Sequence, residues 1–289
     1  MTASGAAFRP NLSSDQVIVD FHCHNFPRPI APRALASLSA NTGWKLFPSG
    51  DGTLENHLDH LDLAGVDKAV MMPVATKPTQ FGIILDTAKA IRDGALGERA
   101  ARKIVPFVSL MPSDPDWSRH LEETVAAGIK GLKVHPYYQN FSLSDPSVWP
   151  FFAKIADLGL VVQCHCGYDI GYPGRYDACA PADVVKLLKN VRGLKFIAAH
   201  LGGCSGHPAH ATDELMECGA YVDTSALHLN RHKDEEMRLL RSWPRERILF
   251  GTDFPWEHYP ETLRWVASVR KSEDLPDLLG NNACRLLGI

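Results

Sequence analysis

Two histidines one residue apart, His22 and His24, close an apolar run near the start of this 289-residue chain: Val17-Ile18-Val19-Asp20-Phe21-His22-Cys23-His24. Side chains alternate faces along a strand, so both imidazoles project to one side, and Asp20 is expected on that side too. Two imidazoles converging from one strand suit a divalent ion. Groups of the same kind recur later in the chain: Lys133 and His135, then His165, His200 and Asp253. Imidazole and carboxylate together form the donor set of zinc and similar first-row metals. Three histidines, one carboxylate and an open position for water would make such an ion catalytic.

These residues need a scaffold that brings them together, and the hydrophobic pattern supplies one. Each ends a short β run. Eight such runs are expected: Val17–His24, Lys68–Val74, Ile104–Leu110, Gly131–His135, Leu160–His165, Lys195–His200, Ala220–Ser225 and Arg247–Asp253. Helical patterns follow them, at Leu54–Ala64, Gln80–Arg102, Trp117–Ala127, Ser147–Leu158, Pro181–Asn190, Pro208–Cys218, Asp234–Arg241, Glu261–Arg270 and Asp277–Leu287. Several runs are apolar on both faces, as buried parallel strands are. Eight βα repeats at this length predict an α/β protein, a single (β/α)8 TIM barrel over residues 17–289. Its active site belongs at the C-terminal ends of the strands, where the named residues stand. An open doubly wound sheet is the alternative, but no G-x-G-x-x-G follows the first run. Residues 1–16 read as a flexible polar tail. Residues 25–52, rich in Pro, Ser and Gly, are too long for a simple connection and read as a long loop or lid.

Composition narrows the function classes. A net charge of −3 gives no pull toward nucleic acid or an anionic membrane. No run of about 18 apolar residues is present to span a bilayer. Seven irregularly spaced cysteines fit reduced thiols in the cytoplasm better than a disulfide framework. Strand parity turns Cys23, Cys164 and Cys166 away from the neighbouring histidines, as packing residues.

The ordered motifs Asp20-x-His22-x-His24, Lys133-Val134-His135-Pro136, His165-x-Gly167, Ala199-His200-Leu201-Gly202-Gly203 and Gly251-Thr252-Asp253-Phe254-Pro255 carry a resemblance. The chain resembles the amidohydrolase superfamily, in the branch that includes aminocarboxymuconate-semialdehyde decarboxylase. The resemblance spans the first to the eighth run and is specific for the superfamily, but weak for substrate. It implies that His22, His24, His165 and Asp253 are ligands of one divalent metal ion, zinc with manganese as the alternative. It implies that His200 contacts the metal's water or the substrate.

The chemistry of the residues supports those roles. Zinc lowers the pKa of a bound water to about 7. Asp253 could accept the water's proton and return it to a leaving group, as base and then acid. His200 could orient the water or polarise a carbonyl. Asp20 reads as a support for His22 or as a plain structural carboxylate. Lys133 and His135 face one way and could meet an anionic substrate. A lysine near this point is carboxylated in some amidohydrolases and bridges two metals; one metal is favoured here. Arg28, Arg175, His228, Arg231 and Trp256 lie in loops after strand ends, where any of them could touch substrate. The expected activity is hydrolysis of an amide, ester or lactone of a small organic acid. Nonoxidative decarboxylation of an unsaturated or aromatic acid is the alternative, and an idle metal-binding scaffold a third reading. The expected partner is a small-molecule carboxylate, and a homodimer is left open.

Overall fold

Short apolar segments bounded by glycine and proline have no room to form helices and pair as strands instead. In the computed structural model they are β1 (Val19–Cys23), β2 (Lys68–Met71), β3 (Ile104–Pro106), β4 (Val108–Ser109), β5 (Gly131–Val134), β6 (Val161–Cys164), β7 (Lys195–Ala198), β8 (Tyr221–Asp223) and β9 (Ile248–Leu249). The structure describes residues 10, 12–13, 15–172, 178–203, 207, 209–225 and 234–289. Every strand pair is parallel, and the strands form a three-stranded sheet, β1-β2-β3, and a six-stranded sheet, β4 to β9 in order.

The two sheets belong to one circuit. β3 and β4 are halves of the expected third run, interrupted at Phe107. Pro106 has no N–H to donate to a ladder, which favours a break at this point. At the other seam the Phe21 amide donates to the Phe250 carbonyl (2.7 Å) and the His24 amide to the Phe254 carbonyl (2.7 Å). The Asp253 amide donates to the His22 carbonyl (2.8 Å). The last run therefore lies against the first, in a (β/α)8 TIM-barrel architecture.

One cluster of buried side chains fills the inside of the strand ring: Val19, Phe21, Val70, Phe107, Val161, Ile197 and Leu249. Ala283 and Leu287 of the C-terminal helix Asn282–Leu287 pack against it. Gly131 makes room for this filling, since a Cβ there would lie 2.5 Å from the Phe107 ring and from the Val161 carbonyl. A larger cluster binds the outward faces of the strands to the helices.

Most expected helices form where the pattern places them. Leu54–Ala64 starts at Thr53, whose hydroxyl accepts the Asn56 amide, and ends at Gly65 in the left-handed conformation. The expected helix 80–102 is instead two, Phe81–Arg92 and Glu98–Lys103, because Gly94 and Gly97 between them take positive φ. An 11-residue helix, Ala31–Asn41, with proline in its first turn, occupies the middle of the long 25–52 segment. Among the described residues, no helix is long and apolar enough to cross a membrane, and no cysteine is in a disulfide.

Candidate metal centre and its cavity

β1 is not a regular strand where it matters most. Its register against β2 shifts between Asp20 and Cys23. Val19 and Phe21 sit in the inner cluster and Cys23 in the outer one. The irregularity lets Phe21 and His22 both turn inward, so the strict alternation that would put Asp20 beside His22 does not hold. Asp20 faces the helices. Its carboxylate accepts the His22 amide (2.9 Å), the Thr252 amide (3.1 Å), the Thr252 hydroxyl (2.6 Å) and the Tyr259 hydroxyl (2.7 Å). It binds neither imidazole of the pair. Burial pushes its pKa up to about 6, against those hydrogen bonds.

His22 is oriented by a different acid. Its Nδ1 lies 3.0 Å from Asp223 Oδ2 and 2.8 Å from the Ser225 hydroxyl. Asp223, at the end of β8, also accepts the His200 amide (2.9 Å), the Gln163 side-chain amide (2.6 Å) and the Ser225 hydroxyl (2.5 Å). Burial alone would raise the pKa of Asp223, but His22 and these donors outweigh it and hold the carboxylate ionised. An ionised acceptor at Nδ1 keeps the proton on that nitrogen and turns the Nε2 lone pair into the cavity. His24 is set the same way, with Nδ1 2.6 Å from the Met72 carbonyl.

Both Nε2 atoms meet Asp253. Its Oδ1 lies 3.4 Å from His22 Nε2 and 3.1 Å from His24 Nε2. Burial would raise the Asp253 pKa, but His22 and His24 hold it well below the usual carboxylate range. Two imidazole nitrogens and a carboxylate oxygen thus converge, and Lys133 Nζ lies 3.0 Å from His22 Nε2. Burial and then Lys133 push the His22 pKa down to about 4, which keeps a lone pair on that ring at neutral pH. The donor set fits a divalent cation, and the ligand atoms of His22, His24 and Asp253 all lie within 4.8 Å of one another.

The other expected donors stand alongside. His165 falls in a neighbouring group with His135 and Asp169 rather than in the His22/His24/Asp253 trio. Its ring stacks on His135 with centroids 4.2 Å apart, and its Nδ1 lies 3.0 Å from His200 Nε2. His165 Nε2 is buried without a hydrogen-bond partner. His200 Nδ1 meets the Ser225 hydroxyl at 2.9 Å. Glycines bring the loops carrying these two rings together. Gly167 and Gly203 both have positive φ, and a Cβ on Gly203 would lie 2.2 Å from the Gly167 nitrogen. His200 and Asp253 themselves take left-handed conformations, φ 59 and 61. For residues other than glycine that costs about 1–3 kcal/mol each and is typical of functional sites.

Lys133 is fully buried, with Nζ 3.0 Å from His22 Nε2, and burial lowers its pKa. His135 Nε2 lies 3.4 Å from Asp169 Oδ2. Both line a cavity of about 1020 Å³ that also takes in His22, His24 and Asp253, as do Arg28 and Trp256. Arg28 is 71% exposed and ion-paired with Glu55 at 3.2 Å. His228, Arg175 and Arg231 lie outside the described residues.

Asp223, Ser225 and Asp169 were not among the expected site residues. Asp223 carried the signal already used for the others, a polar residue ending a barrel strand. Asp169 sits in an irregular loop after β6, and nothing in the sequence around it marks its approach to His135.

The amidohydrolase family model matches residues 19–289. A search of curated proteins gave no significant match. Among solved structures, the chain is similar to 5-carboxyvanillate decarboxylase from Novosphingobium aromaticivorans, complexed with manganese and 4-hydroxy-3-methoxy-5-nitrobenzoic acid (TM-score 0.71, 12% identity, 99% of this chain and 100% of that one). It is similar to an uncharacterized TIM-barrel protein from Bordetella bronchiseptica (TM-score 0.70, 17% identity, covering 94% and 98%). It is also similar to a probable 2-pyrone-4,6-dicarboxylic acid hydrolase from Acinetobacter baumannii with citric acid bound (TM-score 0.65, 14% identity, covering 94% and 99%). At these identities the structural likeness speaks for the fold. The family match runs from the first barrel strand to the last residue, and on that ground this chain belongs to the amidohydrolase family and is an enzyme of that superfamily.

Proposed function

We propose that this enzyme is a metal-dependent hydrolase acting on an amide, ester or lactone of an organic acid. The observation that carries the reading is the convergence of His22 Nε2, His24 Nε2 and Asp253 Oδ1. These three would hold the ion, with His165 as the fourth donor. Zinc suits a donor set this rich in nitrogen, and manganese is the alternative. A divalent ion there supplies a Lewis acid that polarises a carbonyl and acidifies water.

The chain's own residues supply the rest. Asp253, kept ionised, accepts a proton from the attacking water and returns it to the departing amine or alkoxide. His200 faces the carbonyl and stabilises the charge that develops on its oxygen. Lys133 and His135 receive the acid group of the substrate, with Arg28 and Trp256 at the cavity wall. The absence of disulfides among the described cysteines supports a cytoplasmic setting.

Decarboxylation is the second reading. The decarboxylase activities named for several of the similar structures support it, as does a buried lysine beside the centre. Here the bond to the carboxyl carbon breaks, CO2 leaves, and a proton taken from water, passed by way of Asp253 or His200, goes to the carbon left behind.

Two measurements test this. Metal analysis of the wild type and His22→Ala is expected to find about one divalent ion per chain in the first and a trace in the second; equal trace metal in both overturns the site. A screen of lactones and amides beside aromatic and muconate-type acids, with detection of released CO2, separates the reactions. CO2 release without hydrolysis overturns the first reading in favour of the second.

A further inference from the structure

The cavity is much larger than its reactive floor needs. At about 1020 Å³ it reaches the upper end of the range, roughly 300–1,000 Å³, that encloses drug-sized ligands. The ionisable groups of the centre lie at the strand ends. From there the cavity continues between three helices, Ala31–Asn41, Leu54–Ala64 and Phe81–Arg92. They line it with Leu38, Leu54, Leu58, Ile84 and Ile91. Two of these, Leu58 and Ile91, are almost fully buried and back the wall from behind, while Leu38, Leu54 and Ile84 are partly exposed along it. Ile83 lines it too and stands 69% exposed. The charges of Arg28 and Glu55 on its wall are paired with each other. An apolar cleft joined to a polar reaction centre fits a ligand built the same way.

We propose that the substrate is an organic acid derivative with an extended apolar body, an alkyl or aryl chain, that lies in this cleft while its polar end meets the metal centre. The proposal rests on the metal-dependent reading above and extends it from reaction type to substrate class. A small monocyclic acid would leave most of the cleft to water. A longer chain displaces that water, and each methylene buried is worth about a fourfold gain in affinity.

The test uses straight-chain carboxylates from butyrate to dodecanoate as probes, titrated calorimetrically into the full chain with and without added Zn2+. We expect the dissociation constant to fall about three- to fourfold per methylene and then level off as the cleft fills. Leu38→Trp and Ile84→Trp, on different helices, are each expected to erase that gradient. Leu63→Trp, at a position 74% exposed and outside the cavity, is expected to keep it. Thermal melts of each variant confirm folding, and Ile83→Glu, at the exposed mouth, is expected to weaken dodecanoate at least tenfold with the least risk to packing. A flat affinity across the series overturns the proposal, as does a gradient that survives both tryptophan variants. So does a wild-type dimer that Ile83→Glu dissociates while long acids fail to bind, since the cleft is then an interface between copies. Metal content is measured on the same samples. A protein that binds no divalent ion but keeps the gradient overturns the metal-dependent reading alone, and one that binds the ion without a gradient overturns the substrate class alone.

Discussion

Asp223 and Asp20 are both buried carboxylates that touch His22, and they act on different parts of it. Asp223 holds the ring through Nδ1, whereas Asp20 holds the backbone amide. Only the first sets which nitrogen carries the lone pair. Asp223→Asn preserves shape and removes charge, so divalent-ion affinity is expected to fall about 10- to 100-fold. Competition with a chelating dye measures it, and an unchanged affinity would show that Ser225 alone orients the ring. The Gly167–Gly203 contact makes a second prediction. Gly203→Ala would drive a methyl group into the Gly167 backbone at a positive φ, and a loss of at least about 2 kcal/mol in urea unfolding is expected. Full stability in that variant would mean the two loops have room to separate.

At the scale of elements, the seam between the first and last runs is held from behind. Asp20 joins β1 to Thr252, Tyr259 brings in the helix Tyr259–Val269, and His57 brings in the helix Leu54–Ala64. His57 Nε2 lies 2.7 Å from the Tyr259 hydroxyl, and Nδ1 lies 3.0 Å from the Asn25 side-chain oxygen. Its ring stacks on Phe254 with centroids 4.4 Å apart. This network fixes the segments on which His22, His24 and Asp253 stand. Asp20→Ala strips the acceptor from four donors in a dry interior, and about 3 kcal/mol or more should be lost at neutral pH. His57 adds a pH dependence. Burial depresses its pKa from the ordinary 6.5 to about 3, so the unfolded chain takes up that proton first. Its contribution to stability is complete above about pH 6.5 and is lost as pH falls toward about 3, at about 1.4 kcal/mol per unit. Denaturation curves at about pH 7 and pH 5 should therefore differ less in His57→Gln than in the wild type. Equal differences would place the acid sensitivity on the other buried histidines.

For the whole molecule, the centre draws its atoms from β1, β5, β8 and the segments after β6, β7 and β9, so an ion held there ties the circuit together. Binding to the folded state alone stabilises by about 2.7 kcal/mol at a free concentration 100 times the dissociation constant. Dialysis against a chelator should lower the melting temperature, and restored Zn2+ or Mn2+ should raise it again. A melting temperature indifferent to metal would place the ion outside the folded centre. The Ala31–Asn41 helix borders both the cavity and the solvent, and we place the lid function of residues 25–52 on it as a proposal.

Sequence alone determined the barrel and the strand-end positions of the main site residues, for a physical reason. Buried parallel strands demand short apolar runs, and helices demand their own period, so both leave their mark locally. The ends of those runs carry His22, His24, Lys133, His135, His165, His200 and Asp253, at positions legible without any tertiary contact. Tertiary structure decided what depends on contacts distant in sequence or on irregular backbone. The break at Phe107 and the register shift in β1 are departures from the strand period, and the shift turned His22 to the face opposite Asp20. Asp223 became the partner of His22 across 201 residues of chain. Asp169 reached His135 through a loop with no period to read. The apolar cleft exists only where three helices meet, and no single stretch of sequence encodes it.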